Sequence, residues 1–80
     1  MLKDIIMPRM GDAATEGAVE RWEKSVGDAV QVGDLLCTVS VDKAAYDLEC
    51  PYDGRLAEIL VKAEEVVPVG TPIARIEIPG

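Results

Sequence analysis

The chain has 80 residues, 8 of them basic and 15 acidic, giving a formal net charge of −7, with no His, no Phe, one Trp and two Cys. At this length it forms one domain that buries only about 60 % of its unfolded surface, and without His, a Cys cluster or a nucleophile motif it offers neither a metal centre nor a catalytic constellation. The negative charge opposes phosphate backbones and anionic headgroups, and no apolar run nears the roughly 18 residues of a membrane helix, so nucleic-acid and membrane roles are set aside.

Residues 2–7 predict a first short strand that Pro8 ends, because proline cannot donate to a ladder. Residues 8–16, with Pro8, Gly11, Asp12 and Thr15, lack apolar periodicity and read as a surface loop. Residues 17–24 predict a second strand centred on Trp22, where packing is the expected role of the indole. Val26-Gly27-Asp28-Ala29-Val30 predicts a turn that opens a short third strand, and Gly33-Asp34 predicts another turn before a fourth. In that fourth strand Cys37, Val39 and Val41 alternate with Thr38 and Ser40; beyond it Ala44, Tyr46, Leu48 and Cys50 alternate with Ala45, Asp47 and Glu49. Period two means two strands, each with one buried face. If Val41 and Ala44 pair last, Asp42 and Lys43 alone make the loop of a tight hairpin, with Lys43 at its tip. Pro51-Tyr52-Asp53-Gly54 breaks the chain, 55–62 alternates again, and 72–78 closes it. No helical period is sustained. Cys37 and Cys50 fall on the apolar phase and read as small core residues, which suits a reducing compartment.

The chain also repeats itself at a constant offset of 37 residues: Gly17 maps to Gly54, Val19 to Leu56, Trp22 to Ile59, Asp28 to Glu65, Val30 to Val67, Gly33 to Gly70, Leu36 to Ile73, Val39 to Ile76 and Val41 to Ile78. Two four-strand units, each too small to bury its own apolar face, become stable when packed together. The expected fold is therefore all-β, a flattened barrel or sandwich of two four-stranded antiparallel sheets with internal pseudo-two-fold symmetry, formed by residues 1–80 as a single domain. Symmetry also separates fold from function. Gly33 and Gly70 serve equivalent turns, whereas Lys43 has no structural twin, since the second copy runs from Ile78 into Pro79 and Gly80. The termini are expected at the end opposite the hairpin.

A lysine at a turn tip is usually plain surface, so the weight rests on its unique place between the two copies. Asp42-Lys43-Ala44 at the hairpin, with Thr15-Glu16-Gly17, Val26-Gly27-Asp28, Pro51-Tyr52-Asp53-Gly54 and Pro68-Val69-Gly70-Thr71-Pro72, resembles the lipoyl domains of the dihydrolipoamide acyltransferases of 2-oxo acid dehydrogenase complexes across nearly the whole chain. Two features depart from the family pattern: Ser40 and Val41 stand where an acid and then Thr or Ser are usual, and Tyr46 replaces a smaller β-branched residue. The loop Gly11–Gly17 looks more like the oxoglutarate and branched-chain types than the pyruvate type.

The resemblance implies lipoic acid in amide linkage on Lys43, with Asp42 and Ala44 serving the turn and its recognition. A carboxylate beside a lysine stabilises the ammonium, so Asp42 is not its activating base. The implied partners are a lipoate ligase, a thiamin-diphosphate-dependent 2-oxo acid decarboxylase, the acyltransferase catalytic core and dihydrolipoamide dehydrogenase; the domain itself is a carrier, not an enzyme. The expected compartment is the bacterial cytoplasm, ahead of a mitochondrial matrix. The nearest alternative is the biotin carrier domain of a biotin-dependent carboxylase, which has the same fold but shows its lysine within Ala-Met-Lys-Met. Here Asp42 and Ala44 replace those methionines.

Overall fold

Short alternating runs separated by Gly, Pro and Asp become strands, and the structure, a computed structural model, describes them over residues 1–9 and 14–79. In chain order they are β1 (Leu2–Ile6), β2 (Glu16–Trp22), β3 (Ala29–Val30), β4 (Leu35–Val41), β5 (Ala44–Glu49), β6 (Gly54–Ile59), β7 (Val66–Pro68) and β8 (Pro72–Glu77). They form two four-stranded antiparallel sheets, ordered β1-β8-β6-β3 and β5-β4-β2-β7. The fold is a flattened sandwich, not a closed barrel, within an envelope of 36 × 20 × 19 Å.

The predicted symmetry is present in detail. Each sheet is the other with β1 exchanged for β5, β2 for β6, β3 for β7 and β4 for β8. The β2–β4 register slips between Val19 and Arg21, and the β6–β8 register slips between Leu56 and Glu58, 37 positions on. Glu23 N donates to Leu36 O at 2.8 Å, and Leu60 N to Ile73 O at 2.8 Å. Ser25 N donates to Asp28 Oδ2, and Lys62 N to Glu65 Oε1, so the mapping of Asp28 onto Glu65 marks two copies of one turn. Gly33 and Gly70 have φ of 93° and 88°, a region costly for residues with a Cβ. The core repeats too: Val19 and Leu56, Leu36 and Ile73, and Val39 and Ile76 are all fully buried, each contributing roughly 1.5–3 kcal/mol relative to exposure.

Several expected boundaries shift. Trp22 is the last residue of β2 and not its centre, just as Ile59 ends β6; its Nε1 donates 2.9 Å to Val61 O, fastening that sheet end to the next turn. Met7, Cys50 and Ile78 lie just past their strands, because Met7 N and Cys50 N leave the ladder to bond the turn carbonyls of Thr71 and Asp34. The 8–16 loop is not wholly superficial, since Ala14 is buried and Glu16 already belongs to β2; positions 10–13 lie outside the described residues.

Candidate functional site

Strands β4 and β5 pair from Leu35↔Glu49 to Val41↔Ala44, leaving Asp42 and Lys43 as a two-residue turn, as their spacing requires. Both have positive φ, 51° for Asp42 and 65° for Lys43, the signature of a type I′ turn, whose twist matches that of the flanking strands. Aspartate tolerates this region through its short polar side chain, but lysine gains nothing from it and carries strain on the order of 1 kcal/mol. The strain is held from below: Val41 is 1 % exposed and locked in the core, and Ala44 is half-buried.

Asp42 and Lys43 are exposed. Among the described residues no carboxylate forms an ion pair with Lys43, whereas Lys24 lies 3.9 Å from Asp34. Lys62 is also exposed but occupies the turn equivalent to Ser25, a purely structural place in the symmetry. Beside the tip Ala14, Thr15, Glu16 and Asp42 line one shallow polar depression, and Ala18, Val19, Glu20, Ser40 and Glu64 line another. The lysine thus stands free in acidic surroundings, open to an enzyme approaching end-on.

Gly17 in β2 pairs with Val41 at the base of this hairpin, and a Cβ there would meet Val41 and the Met7 sulfur. The equivalent Gly54 abuts Glu77 and Ile78, where Ile78 O also accepts from the Met1 ammonium at 3.1 Å. The hairpin and the chain ends therefore occupy symmetry-equivalent positions, one on each sheet.

Neither thiol competes as a nucleophile. Burial pushes the Cys37 thiol up to about 12, and burial likewise raises Cys50, whose Sγ donates 3.1 Å to Tyr52 O. Among the described residues no group of three or more His, Cys, Asp or Glu is placed to hold a metal ion. Sequence reasoning placed Asp42, Lys43 and Ala44 at the hairpin, where the structure has them, and gave no physical reason for Gly17. Its signal was the pairing with Gly54 in the repeat, for which the turn argument made at Gly33 and Gly70 supplies no reason.

A family model described as "Biotin-requiring enzyme" (biotin/lipoyl) matches residues 3–76. The chain is 42% identical over 76 residues to the dihydrolipoyllysine-residue acetyltransferase component of the pyruvate dehydrogenase complex of Mycobacterium tuberculosis, covering 95% of this chain and 14% of that protein. It is 38% identical over 76 residues to the corresponding component of the acetoin cleaving system of Bacillus subtilis, covering 95% of this chain and 19% of that one. The chain thus spans less than a fifth of the length of these relatives. Its fold matches the solution structure of the lipoyl domain of the 2-oxoglutarate dehydrogenase complex from Azotobacter vinelandii, with a TM-score of 0.80 and 27% identity over 96% of this chain and 98% of that one. With residues 3–76 matched and the lysine hairpin in place, the chain belongs to the biotin/lipoyl domain family.

Proposed function

We propose that residues 1–80 are the lipoyl carrier domain of a longer dihydrolipoamide acyltransferase in a 2-oxo acid dehydrogenase complex, with lipoic acid in amide linkage on Lys43. The observation that carries this reading is the single lysine at a strained two-residue tip, at a position that has no counterpart in the second copy of the repeat. The site fits the group: amide formation needs an exposed amine that a ligase can surround, and Lys43 presents one. Relatives named for dihydrolipoyllysine favour lipoate over biotin, as do the non-methionine neighbours Asp42 and Ala44.

When attached, lipoic acid supplies a dithiolane that accepts an acyl group and two electrons. The chain's own residues hold the arm out from the surface, fix its root, and leave the surroundings acidic through Asp42 and Glu16. Asp42 shapes the turn, and with Ala44 gives the ligase its local reading frame. Catalysis belongs to the partners: a lipoate ligase, a thiamin-diphosphate-dependent decarboxylase, the acyltransferase core and dihydrolipoamide dehydrogenase. Tethering to the core makes each visit quasi-intramolecular, at effective concentrations on the order of mM. The bacterial cytoplasm is the proposed location, in keeping with two buried free thiols.

The test is acylation without coenzyme A. The lipoylated domain, given a decarboxylase of the pyruvate, branched-chain or oxoglutarate type with its 2-oxo acid, should gain one acyl group by mass; no acylation by any of them overturns the reading. The comparison among the three also selects the substrate, for which the relatives' names and the loop pattern point different ways.

A further inference from the structure

We propose that Gly17 is a positioning residue for Lys43: its missing side chain lets the base of the hairpin settle against β2, and thereby sets where the ammonium stands. The inference rests on the reading of Lys43 as the attachment site. A Cβ on Gly17 would come 2.8 Å from Val41 Cγ2, 3.0 Å from the Ser40 carbonyl oxygen and 3.1 Å from Met7 Sδ, all inside ordinary van der Waals separation. Gly17 is not among the positive-φ glycines, so nothing in its backbone calls for glycine. Only the space does.

What would yield to an added carbon follows from the sheet. Strand β2 is held on both sides, with Gly17 opposite both Val41 and Val67. Beyond β4 lies only β5, an edge strand, and the turn follows Val41 at once. Val41 is β-branched and buried, so it has no spare rotamer to take up the contact. Displacement therefore passes into Ser40 and Val41, and from them into Asp42 and Lys43. The fold uses the same close approach at Gly54, where a Cβ would overlap the Glu77 carbonyl oxygen, but that glycine lies beneath the chain ends and no lysine tip depends on it.

The test compares wild type, Gly17→Ala, the relief variant Gly17→Ala/Val41→Ala and Gly33→Ala. The last adds a Cβ with no heavy atom within 4 Å, far from the tip, and controls for stability alone. Lipoate ligase kinetics are measured on folded protein, with the amide shifts of Asp42, Lys43 and Ala44 followed by NMR. Gly17→Ala should move those amides and lower kcat/KM by about tenfold, within the range that misplacement by 1 Å produces, and mostly through kcat. The relief variant should recover most of the loss, and Gly33→Ala should be modified at the wild-type rate. Wild-type kinetics for Gly17→Ala, an equal loss in Gly33→Ala, or no recovery in the relief variant overturns the inference. If Gly17→Ala does not fold, the relief variant decides: near-wild-type kinetics support the proposal and a tenfold loss overturns it. A wild-type domain that takes no lipoate sinks the attachment reading instead, and the amide shifts of Gly17→Ala then still judge the positioning claim.

Discussion

Replacing Glu64 by glycine should stabilise the protein, although it removes a side chain and adds no contact. Glu64 has φ of 70° and stands 37 positions after Gly27, whose φ is 97°. The two residues do the same work: Gly27 N donates 2.7 Å to Leu56 O, and Glu64 N donates 2.6 Å to Val19 O. One copy of the turn thus has the residue suited to it and the other does not. Left-handed backbone costs an L residue roughly 1–2 kcal/mol, while the extra freedom of glycine in the unfolded chain returns roughly 0.5–1 kcal/mol of that. The net gain for Glu64→Gly is about 0.5–1 kcal/mol, or about 3–6 °C in Tm for a domain of this size. Removing one carboxylate from a chain of charge −7 acts in the same direction, so Glu64→Gln is the control: it loses the charge and keeps the strain. Urea and thermal unfolding followed by circular dichroism measure both. If Glu64→Gln gains as much as Glu64→Gly, or if Glu64→Gly gains nothing, the strain argument is wrong.

Gly33→Ala and Gly70→Ala should each cost about 1 kcal/mol and agree within about 0.5, since both add only backbone strain with no clash; a large loss at one site alone, seen in urea midpoints, would contradict equivalent turns. Lys43→Gly should unfold at a higher temperature than Lys43→Ala by about 2–5 °C, because the tip is strained for any residue with a Cβ; equal Tm values would mean the turn is relaxed. The Cys37 thiol is raised by burial from 9.0 to about 12, so folding holds its proton. Its contribution is complete below pH 9 and is lost as pH rises toward 12, with stability falling across that window. In Cys37→Ala, urea melts at pH 8 and pH 10.5 should differ less than in the parent, and an unchanged difference would remove Cys37 as the cause.

The hairpin was readable from sequence because period two runs unbroken on both sides of Asp42 and Lys43, leaving one possible loop length. Gly33 and Gly70 were readable because glycine in matching turns names its own reason. Glu64 was not, since its strain lies in the backbone and its side chain conceals it. The positive φ of Asp42 and Lys43 was hidden likewise, because no Asn-Gly or Asp-Gly pair marks the turn. Gly17 and Gly54 matched in the repeat, but the contact that requires them comes from strands distant in sequence. The register slips in β2–β4 and β6–β8 fall in the same class: a bulge is defined by its partner strand. No breaker follows Trp22 before Gly27, so nothing in the sequence marks Trp22 as the end of its strand; the ladder ends there, where the indole bonds Val61 O.

The central claim is that Lys43 carries lipoic acid, and the direct measurement is peptide mapping by mass spectrometry after coexpression with a lipoate ligase, and separately with a biotin ligase. The account predicts one lipoyl group, on Lys43, with Lys3, Lys24 and Lys62 bare, no modification of Lys43→Ala, and no biotin. Lipoate on Lys62, or biotin on Lys43 in place of lipoate, would contradict it.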